Sequence, residues 1–388
     1  MFNRRNFFKE NLAVGFLLFA LFLGAGNIIF PPVLGQQAGE NIVISIIGFL
    51  ITGVGLPLLA IVTVAKNGGD LQILANRVGH RFSIIFTSIV YLAIGPLFAL
   101  PRTGAVSYSI GVHPHLSGAA QESWLPLFVT TLIFFSITIY LAYNPSKLVD
   151  RIGKVLTPTL LIVISLLAVK AFITPMGEIG EAKGDYVTTA FGESFVQGYL
   201  TMDVLGALVF GIVILQAVQM RGVTERKEQV KITVFAGIIA AIGLAFVYIS
   251  LAYIGVTSPD AVGYLEDGGA ILAASSKVLF GELGSIILSA TIILACLTTA
   301  VGLLSANASF FAKVFPKVSY QTFLMIFTVF SFGISNVGLS KLIEFSLPVL
   351  LIIYPIAIVL MVLALIGNVF NHSRFVYSFA LITTGIIS

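Results

Sequence analysis

Long apolar runs separated by short polar segments dominate the chain. In "NLAVGFLLFALFLGAGNIIFPPVL" and in later runs, apolar residues far outnumber polar ones, without the strict alternation of a half-buried strand. The hydrocarbon core of a bilayer needs about 20 such residues per helix, so each run predicts a membrane span. The predicted spans are 11–33, 41–65, 82–100, 124–143, 152–174, 187–219, 231–255, 284–312, 320–338, 341–366 and an eleventh that begins near 375.

Composition agrees with this pattern. Hydrophobic residues make up 58% of the chain and charged residues 10%, against about 25% charge in a soluble domain. The mean hydropathy is +1.05. The short alternating segments of a membrane β-barrel are absent, and helices satisfy their own backbone in lipid. We therefore predict an all-α polytopic membrane protein, with residues 1–388 forming one transport domain.

Basic residues indicate the orientation of the spans. With the N-terminus in the cytoplasm, sixteen of the 21 lysines and arginines fall on the inner side, as the positive-inside rule requires. The other five fall on the outer side: Arg102, in the predicted outer connection 101–123, and Lys170, Lys183, Lys277 and Lys341. The net charge of +4 therefore reflects topology, and no nucleic-acid partner is expected. We predict a multi-pass protein of the cell membrane with a cytoplasmic N-terminus and a retained first helix.

Two spans contain residues that weaken a helix near the middle of the membrane. The first span is interrupted by Gly24–Asn27 in "FLGAGNIIFPP", and the span 187–219 contains Gly198 in "VQGYLTMD". Unwound backbone frees N–H groups that can bind a carboxylate and carbonyls that can bind a cation. Glycines are also common where membrane helices pack closely, which is the alternative interpretation.

Paired interruptions in the first and sixth spans are typical of transporters built from inverted repeats. We predict a first five-helix repeat over 11–174 and a second, inverted one over 187–366. Residues 375–388 would begin an accessory helix that is cut off at the end of the sequence.

Polar residues within the spans are candidates for the site. Asp203 follows the second interruption and could bind a substrate ammonium group, a cation or a proton, or serve as a structural acid. Thr298 and Thr299, with Ala295 one turn earlier, could supply oxygen ligands to Na+, although such threonines often bond to their own helix. The simplest interpretation of Lys154 is a positive-inside residue whose side chain snorkels to the interface. The alternative is that it reaches the site and acts as a coupling charge.

Enzyme signatures are absent from the sequence. It has no phosphate loop, no His-Glu-x-x-His, no Gly-x-Ser-x-Gly and no soluble nucleotide-binding domain. The single cysteine lies in an apolar run, which excludes a disulfide framework. We therefore expect a secondary transporter that is not an enzyme and needs no cofactor.

Four stretches resemble the branched-chain amino acid:cation symporter family, the LIV-II type of bacterial carrier. They are "GFLLFALFLGAGNIIFPPVLGQQAGEN", "YLAIGPLFALPRTGAVSYSIG", "FGESFVQGYLTMDVLGAL" and "LACLTTAVGLLSA". The resemblance implies uptake of leucine, isoleucine and valine with Na+ or protons. It also implies the fold of the amino acid–polyamine–cation superfamily, with five helices plus five inverted ones. Such carriers usually have twelve spans, so the last ones would be incomplete here.

The pattern Gly-x-Gly-Asn-x-x-x-Pro also resembles the sodium-coupled neurotransmitter transporters of the same fold, which implies roles for particular residues. The implied substrate-binding residues are Gly24, Ala25, Gly26, Asn27, Tyr91, Gly198 and Tyr199. The implied Na+ ligands are Ala20, Leu23, Ala295, Thr298 and Thr299.

The leading hypothesis is a Na+-coupled symporter that works by alternating access. One alternative is a proton-coupled carrier of another small amino acid, in which Asp203 and Lys154 would carry the coupling. Another is an amino-acid receptor on a carrier fold that binds without transport. The sequence leaves the coupling ion, its stoichiometry and the oligomeric state open.

Overall fold

The computed structural model describes residues 4–144, 154, 157–265 and 267–387. Within these residues the regular structure is helical and no strand occurs, as predicted. The α-helices are α1 (Arg4–Phe22), α2 (Ala25–Ala38), α3 (Ile42–Leu50), α4 (Leu56–Lys66), α5 (Leu71–Ala75), α6 (His80–Leu92), α7 (Ala99–Ser109), α8 (Ala119–Glu122), α9 (Leu125–Ala142), α10 (Thr157–Ile173), α11 (Tyr186–Tyr199), α12 (Asp203–Gln219), α13 (Arg226–Val256), α14 (Pro259–Val262), α15 (Gly268–Phe280), α16 (Glu282–Val314), α17 (Tyr320–Ser335), α18 (Leu339–Leu365) and α19 (Arg374–Ile387).

Several of these helices are long and apolar enough to cross a membrane. In the described part of the chain, seven helical segments of at least 18 residues meet that condition, and shorter apolar helices accompany them. Large aliphatic side chains on the outer faces, such as Val43, Ile85 and Ile242, are more than half exposed. An exposed apolar surface of this kind suits lipid rather than water. The chain is a multi-pass membrane protein.

Among the described residues, two spans contain a five-residue π-helical turn. One is Ile51–Gly55, between α3 and α4. The other is Ala93–Leu97, between α6 and α7, where Gly95 leaves helical geometry with φ −88° and ψ −120°. Pro96 follows directly and has no N–H to continue the helical ladder, so the span kinks there.

This kink exposes an error in the predicted boundaries. The span 82–100 was expected to end before an outer loop at 101–123, but α7 continues through Ser109. The sequence "LPRTGAV" looks like a loop because it combines proline, glycine and a charge. Proline is, however, tolerated in the first turn of a helix, and Pro101 lies in the first turn of α7. Arg102 is therefore a buried helical residue and not an outer-loop residue.

The interrupted helices lie at the centre of the bundle. Both α1 and α2 pack against α13, while α16 packs against α7 and α12. The side chains at these contacts, including Leu17, Leu21 and Phe210, are almost fully buried. Cys296 of α16 is buried there as a free thiol. The start of the predicted span 152–174 lies largely outside the described residues.

Candidate functional site

The first helix interruption is shorter than predicted and overlaps the predicted Gly24–Asn27 only at Gly24. α1 ends at Phe22 and α2 begins at Ala25, so Leu23 and Gly24 are the unwound residues. Gly24 is extended, and its N–H donates to Oδ1 of Asn27 at 3.0 Å. This bond starts a new helix at once, which is why Ala25, Gly26 and Asn27 form its first turn. The first N–H groups of such a turn have no partner within the helix.

Proline further loosens the start of α2. Pro31 and Pro32 both lie inside this helix. Neither has an N–H, so the carbonyls of Asn27 and Ile28 lack the donor that a helix normally supplies four residues later. The segment "FPP" therefore adds freed carbonyls to the freed N–H groups of the interruption.

The second interruption is also displaced from its predicted position. Gly198 lies inside α11, and the chain leaves the helix only at Leu200, Thr201 and Met202. Met202 has a φ of 66°, a left-handed conformation that costs a non-glycine residue about 1–2 kcal/mol. α12 starts directly afterwards with Asp203. A carboxylate in the first turn is favoured by the helix dipole.

Asn27 and Asp203 join the two interruptions directly. Nδ2 of Asn27 donates to Oδ2 of Asp203 at 2.7 Å. The same oxygen accepts a hydrogen bond from the hydroxyl of Tyr248 at 2.5 Å, and Asn27 also contacts that hydroxyl. All three side chains are at most 4% exposed. Three separate elements, α2, α12 and α13, thus meet at one buried carboxylate.

A small cavity of about 30 Å³ lies between the two interruptions. Its walls combine backbone of both unwound segments with charged, hydroxyl and apolar side chains. The lining residues are Leu21, Phe22, Gly24, Ala25, Gly26, Asn27, Ile94, Ala99, Arg102, Thr103, Thr201, Met202, Asp203, Gly206, Phe210, Thr299 and Leu303. The cavity therefore has one basic and one acidic residue in its wall.

The threonine pair of α16 lies against the end of α1. Thr298 Oγ1 lies 2.9 Å from the carbonyl oxygens of both Ala20 and Ala295, and its single O–H can donate to either. Thr299 Oγ1 lies 3.2 Å from the carbonyl oxygen of Ala20 and 3.0 Å from that of Leu21, and its O–H likewise has two acceptors within reach. Leu23 is buried just beyond the last turn of α1. Of the implied Na+ ligands, the structure brings together Ala20, Ala295, Thr298 and Thr299.

Other candidate residues lie elsewhere. Tyr91 stacks on Phe310 with ring centroids 4.1 Å apart and donates to the carbonyl of Val209 at 3.4 Å, so it is not brought to the cavity. A Cβ on Gly198 would lie 1.9 Å from Oγ1 of Thr52 and 3.0 Å from the carbonyl oxygen of Phe49, which makes this glycine a close contact of α11 with the end of α3 and the π-helical turn that follows it.

The remaining two candidates are also outside the cavity wall. Tyr199 is half-buried and packs against Tyr354, with ring centroids 4.9 Å apart. Lys154 is exposed, and most of its sequence neighbours lie outside the described residues. The structure thus supports Asp203 and not Lys154 as a residue in the wall of the cavity.

Sequence reasoning missed two residues of this site. Arg102 was assigned to a loop, although a charge within an apolar stretch is itself a signal of a functional position. It lines the cavity, and Nη1 and Nη2 donate to the carbonyl of Leu200 at 3.4 and 3.3 Å. Tyr248 lies in an unremarkable apolar run, and only the packing of α13 reveals its contact with Asp203.

A model of the family described as branched-chain amino acid transport protein matches residues 8–388. The chain belongs to this family. It is 50% identical over 380 residues to the branched-chain amino acid permease BraB of Bacillus subtilis, covering 98% of this chain and 85% of that protein. It is 46% identical over 365 residues to the permease BrnQ of Escherichia coli, covering 94% and 82%. The family resemblance predicted from the four stretches is confirmed, and the family is one of transporters rather than enzymes.

Two further comparisons agree. The branched-chain amino acid transport system 2 carrier protein of Pseudomonas aeruginosa is 48% identical over 354 residues, with 91% of this chain and 80% of that protein covered. Among solved structures, the nucleobase-cation-symport-1 family transporter Mhp1, in a closed conformation with bromovinylhydantoin bound, matches with a TM-score of 0.61. That match covers 97% of this chain and 90% of Mhp1 at 16% identity, so it shows a shared transporter fold and no more.

Proposed function

We propose that this protein is a secondary active symporter that imports leucine, isoleucine and valine together with Na+. The observation that carries the proposal is that both helix interruptions border one buried cavity with a basic and an acidic side chain in its wall. An amino acid is a zwitterion, so its two charged groups need partners of both signs at membrane depth. The names of the related permeases support the choice of branched-chain substrates.

Asp203 is the partner of the substrate ammonium group in this proposal. Its carboxylate accepts two hydrogen bonds at Oδ2, and a carboxylate has about four acceptor sites. Asn27 and Tyr248 hold it in place while the remaining capacity serves the substrate. The first turn of α12 adds the favourable dipole.

The apolar lining would receive the branched side chain. Leu21 and Phe22 of α1, Ile94 of the π-helical turn before α7, and Phe210 of α12 contribute this surface. An apolar pocket separates substrates by only about 1–3 kcal/mol per methylene group. Leucine, isoleucine and valine should therefore compete with one another.

The threonine pair and the end of α1 would hold the coupling ion. Both hydroxyls now donate to main-chain carbonyls, but a hydroxyl can rotate and present its oxygen to a cation instead. The carbonyls of Ala20 and Ala295 with the two hydroxyls then supply four oxygen ligands, which suits a hard cation. The carbonyl of Leu23 is the proposed fifth ligand. Bound Na+ would fix α1 against α16 and organise the unwound segment beside it.

Transport requires the two ends of the site to open in turn. A cavity of about 30 Å³ exceeds the roughly 10–15 Å³ that one water molecule requires, but it is far smaller than a pocket for an organic ligand, so leucine cannot enter until helices separate. At one end, Lys313 Nζ pairs with Oδ2 of Asp70 at 2.5 Å. At the other, Gln36 Nε2 donates to Oγ of Ser258 at 2.7 Å. We propose that these contacts close the inner and outer paths respectively.

The wider architecture belongs to the same proposal. Interruptions in the first and sixth apolar segments support repeats over 11–174 and 187–366, inverted relative to one another. Residues from 375 would form an accessory helix. The basic loops support a cell-membrane protein with about eleven spans and a cytoplasmic N-terminus.

Uptake of radiolabelled leucine into proteoliposomes tests the proposal, with a Na+ gradient and a pH gradient imposed separately. We expect accumulation that follows the Na+ gradient and is lost in Thr298→Ala/Thr299→Ala. Thr328→Ala is the matched control. Thr328 lies in α17, outside the cavity wall, and donates to the carbonyl of Leu324 in its own helix. Leucine binding without uptake would instead support the receptor alternative.

Proton coupling is the second candidate, and the burial of Asp203 is the observation that favours it. In that case leucine accumulation would follow the pH gradient alone and be insensitive to the threonine substitutions. Asp203→Asn would then abolish accumulation while exchange of leucine across the membrane continued.

A further inference from the structure

Arg102 is a charged residue with almost no charge partner inside the bundle. Its side chain is 4% exposed. A guanidinium buried at this depth is costly unless other groups satisfy it. Among the residues that the structure describes, no carboxylate forms an ion pair with it within 4 Å, Asp203 included. Its burial therefore calls for an explanation other than a structural salt bridge.

The hydrogen bonds of Arg102 leave most of its donors unused. A guanidinium has five N–H donors. Nη1 and Nη2 share one acceptor, the carbonyl of Leu200, at distances near the upper limit for a hydrogen bond. Nε is buried and has no partner. The ring of Phe30 lies 5.9 Å from the guanidinium carbon, which adds only a weak cation–π contact.

The unused donors lie at the first turn of α2. A Cβ on Gly26 would be 2.7 Å from Nη2 of Arg102, so only glycine allows the guanidinium to come this close to the main chain. This turn also presents N–H groups that lack partners within the helix. The guanidinium group of Arg102 and the N-terminus of α2 together form a cluster of hydrogen-bond donors with a positive electrostatic field. This cluster lines the same cavity as Asp203.

We infer that Arg102 binds the carboxylate of the transported amino acid. This inference rests on the proposed function and names the anionic half of the same site. The planar fork of arginine matches a carboxylate in two parallel hydrogen bonds, and such charge-assisted pairs are the strong ones. The substrate then bridges the bundle, with its carboxylate on Arg102 and the start of α2, and its ammonium group on Asp203.

Ligand chemistry tests the inference without any substitution. Binding of radiolabelled leucine to the purified full chain in detergent is competed with unlabelled leucine and with leucinamide, which keeps the ammonium group and side chain but has no carboxylate. We expect leucinamide to compete at least about tenfold less well, as loss of one charge-assisted bond pair implies. Equal competition would overturn the inference while leaving the proposed function intact. Failure of wild-type protein to bind leucine at all would overturn both.

Substitution then locates the effect. Arg102→Gln and Arg102→Lys should each weaken leucine binding about tenfold or more, because both lose the fork. Both substitutions should change the affinity for leucinamide less than threefold. That affinity is measured directly from the rise in melting temperature that leucinamide causes. The control Arg226→Gln removes an exposed arginine that donates to the carbonyl of Lys66 and should change neither. Equal weakening of both ligands by a well-folded Arg102→Lys protein would identify a structural role and refute the inference.

Discussion

Asn27 connects the two helix interruptions, so its removal should affect both stability and transport. Asn27→Ala deletes the bond to Asp203 at 2.7 Å and the bond from the N–H of Gly24 at 3.0 Å. A hydrogen bond to a charged group contributes about 1.5–3 kcal/mol and a neutral one about 0.5–1.5 kcal/mol. Because Asn27 is 1% exposed, water replaces these bonds poorly, and we expect a loss of about 2–4 kcal/mol.

The assay pairs thermal unfolding in detergent with leucine uptake in proteoliposomes. Asn336→Ala is the matched control, since this asparagine donates only to neutral acceptors, Oγ1 of Thr131 at 3.1 Å and the carbonyl of Phe332 at 2.7 Å. We expect Asn27→Ala to melt several degrees below the control and to lose most of its uptake. An Asn27→Ala protein that melts with the control and transports normally would refute the role assigned to this contact.

Three other predictions follow from individual contacts. Thr298→Val replaces a hydroxyl by a methyl group of the same shape, so the Na+ concentration for half-maximal uptake should rise about tenfold or more. Gly198→Ala places a methyl group 1.9 Å from Oγ1 of Thr52 and should lower stability by about 1–3 kcal/mol, with partial recovery when Thr52→Ala is added. Lys313→Gln breaks the pair with Asp70, so efflux of leucine from preloaded proteoliposomes should accelerate.

Two of these variants have a control in the same protein. Thr298→Ser keeps the hydroxyl and should retain Na+ affinity, and unchanged Na+ dependence in Thr298→Val would contradict the ion site. For the ion pair, Lys231→Gln removes an exposed lysine that pairs with Glu228 at 2.7 Å, and it should leave efflux unchanged. If Gly198→Ala melts like wild type, the packing of α11 on α3 is looser than the structure indicates.

The sequence pattern predicted the helical fold well because long apolar runs leave few alternatives in lipid. It also predicted that the first and sixth runs are interrupted, but placed both interruptions at glycines. In the structure the second one falls at Leu200–Met202, where Met202 is left-handed, while Gly198 serves close packing. Glycine marks a position where backbone can approach backbone, and sequence alone does not say which kind of approach occurs.

The site was predictable only in part. The proximity of Thr298 to Ala20 came from the family resemblance and is present in the structure. Tyr91 was selected by the same route, but stacking on Phe310 holds it elsewhere. Arg102 was missed because a Pro-Arg-Thr-Gly sequence has the residue composition of a loop. Tyr248 contacts Asp203 although 45 residues of sequence separate them, and no local sequence pattern indicates such a contact.

The buried thiol of Cys296 has a practical consequence for spectroscopy. It is the only cysteine in the chain and is fully buried where α16 packs in the bundle, so thiol reagents should not reach it while the bundle is closed. Cysteines introduced at exposed connecting positions, such as Glu40 and Glu122, would therefore be labelled selectively. Distances between spin labels or dyes at such pairs can follow the opening of the bundle in a protein that otherwise keeps its natural sequence.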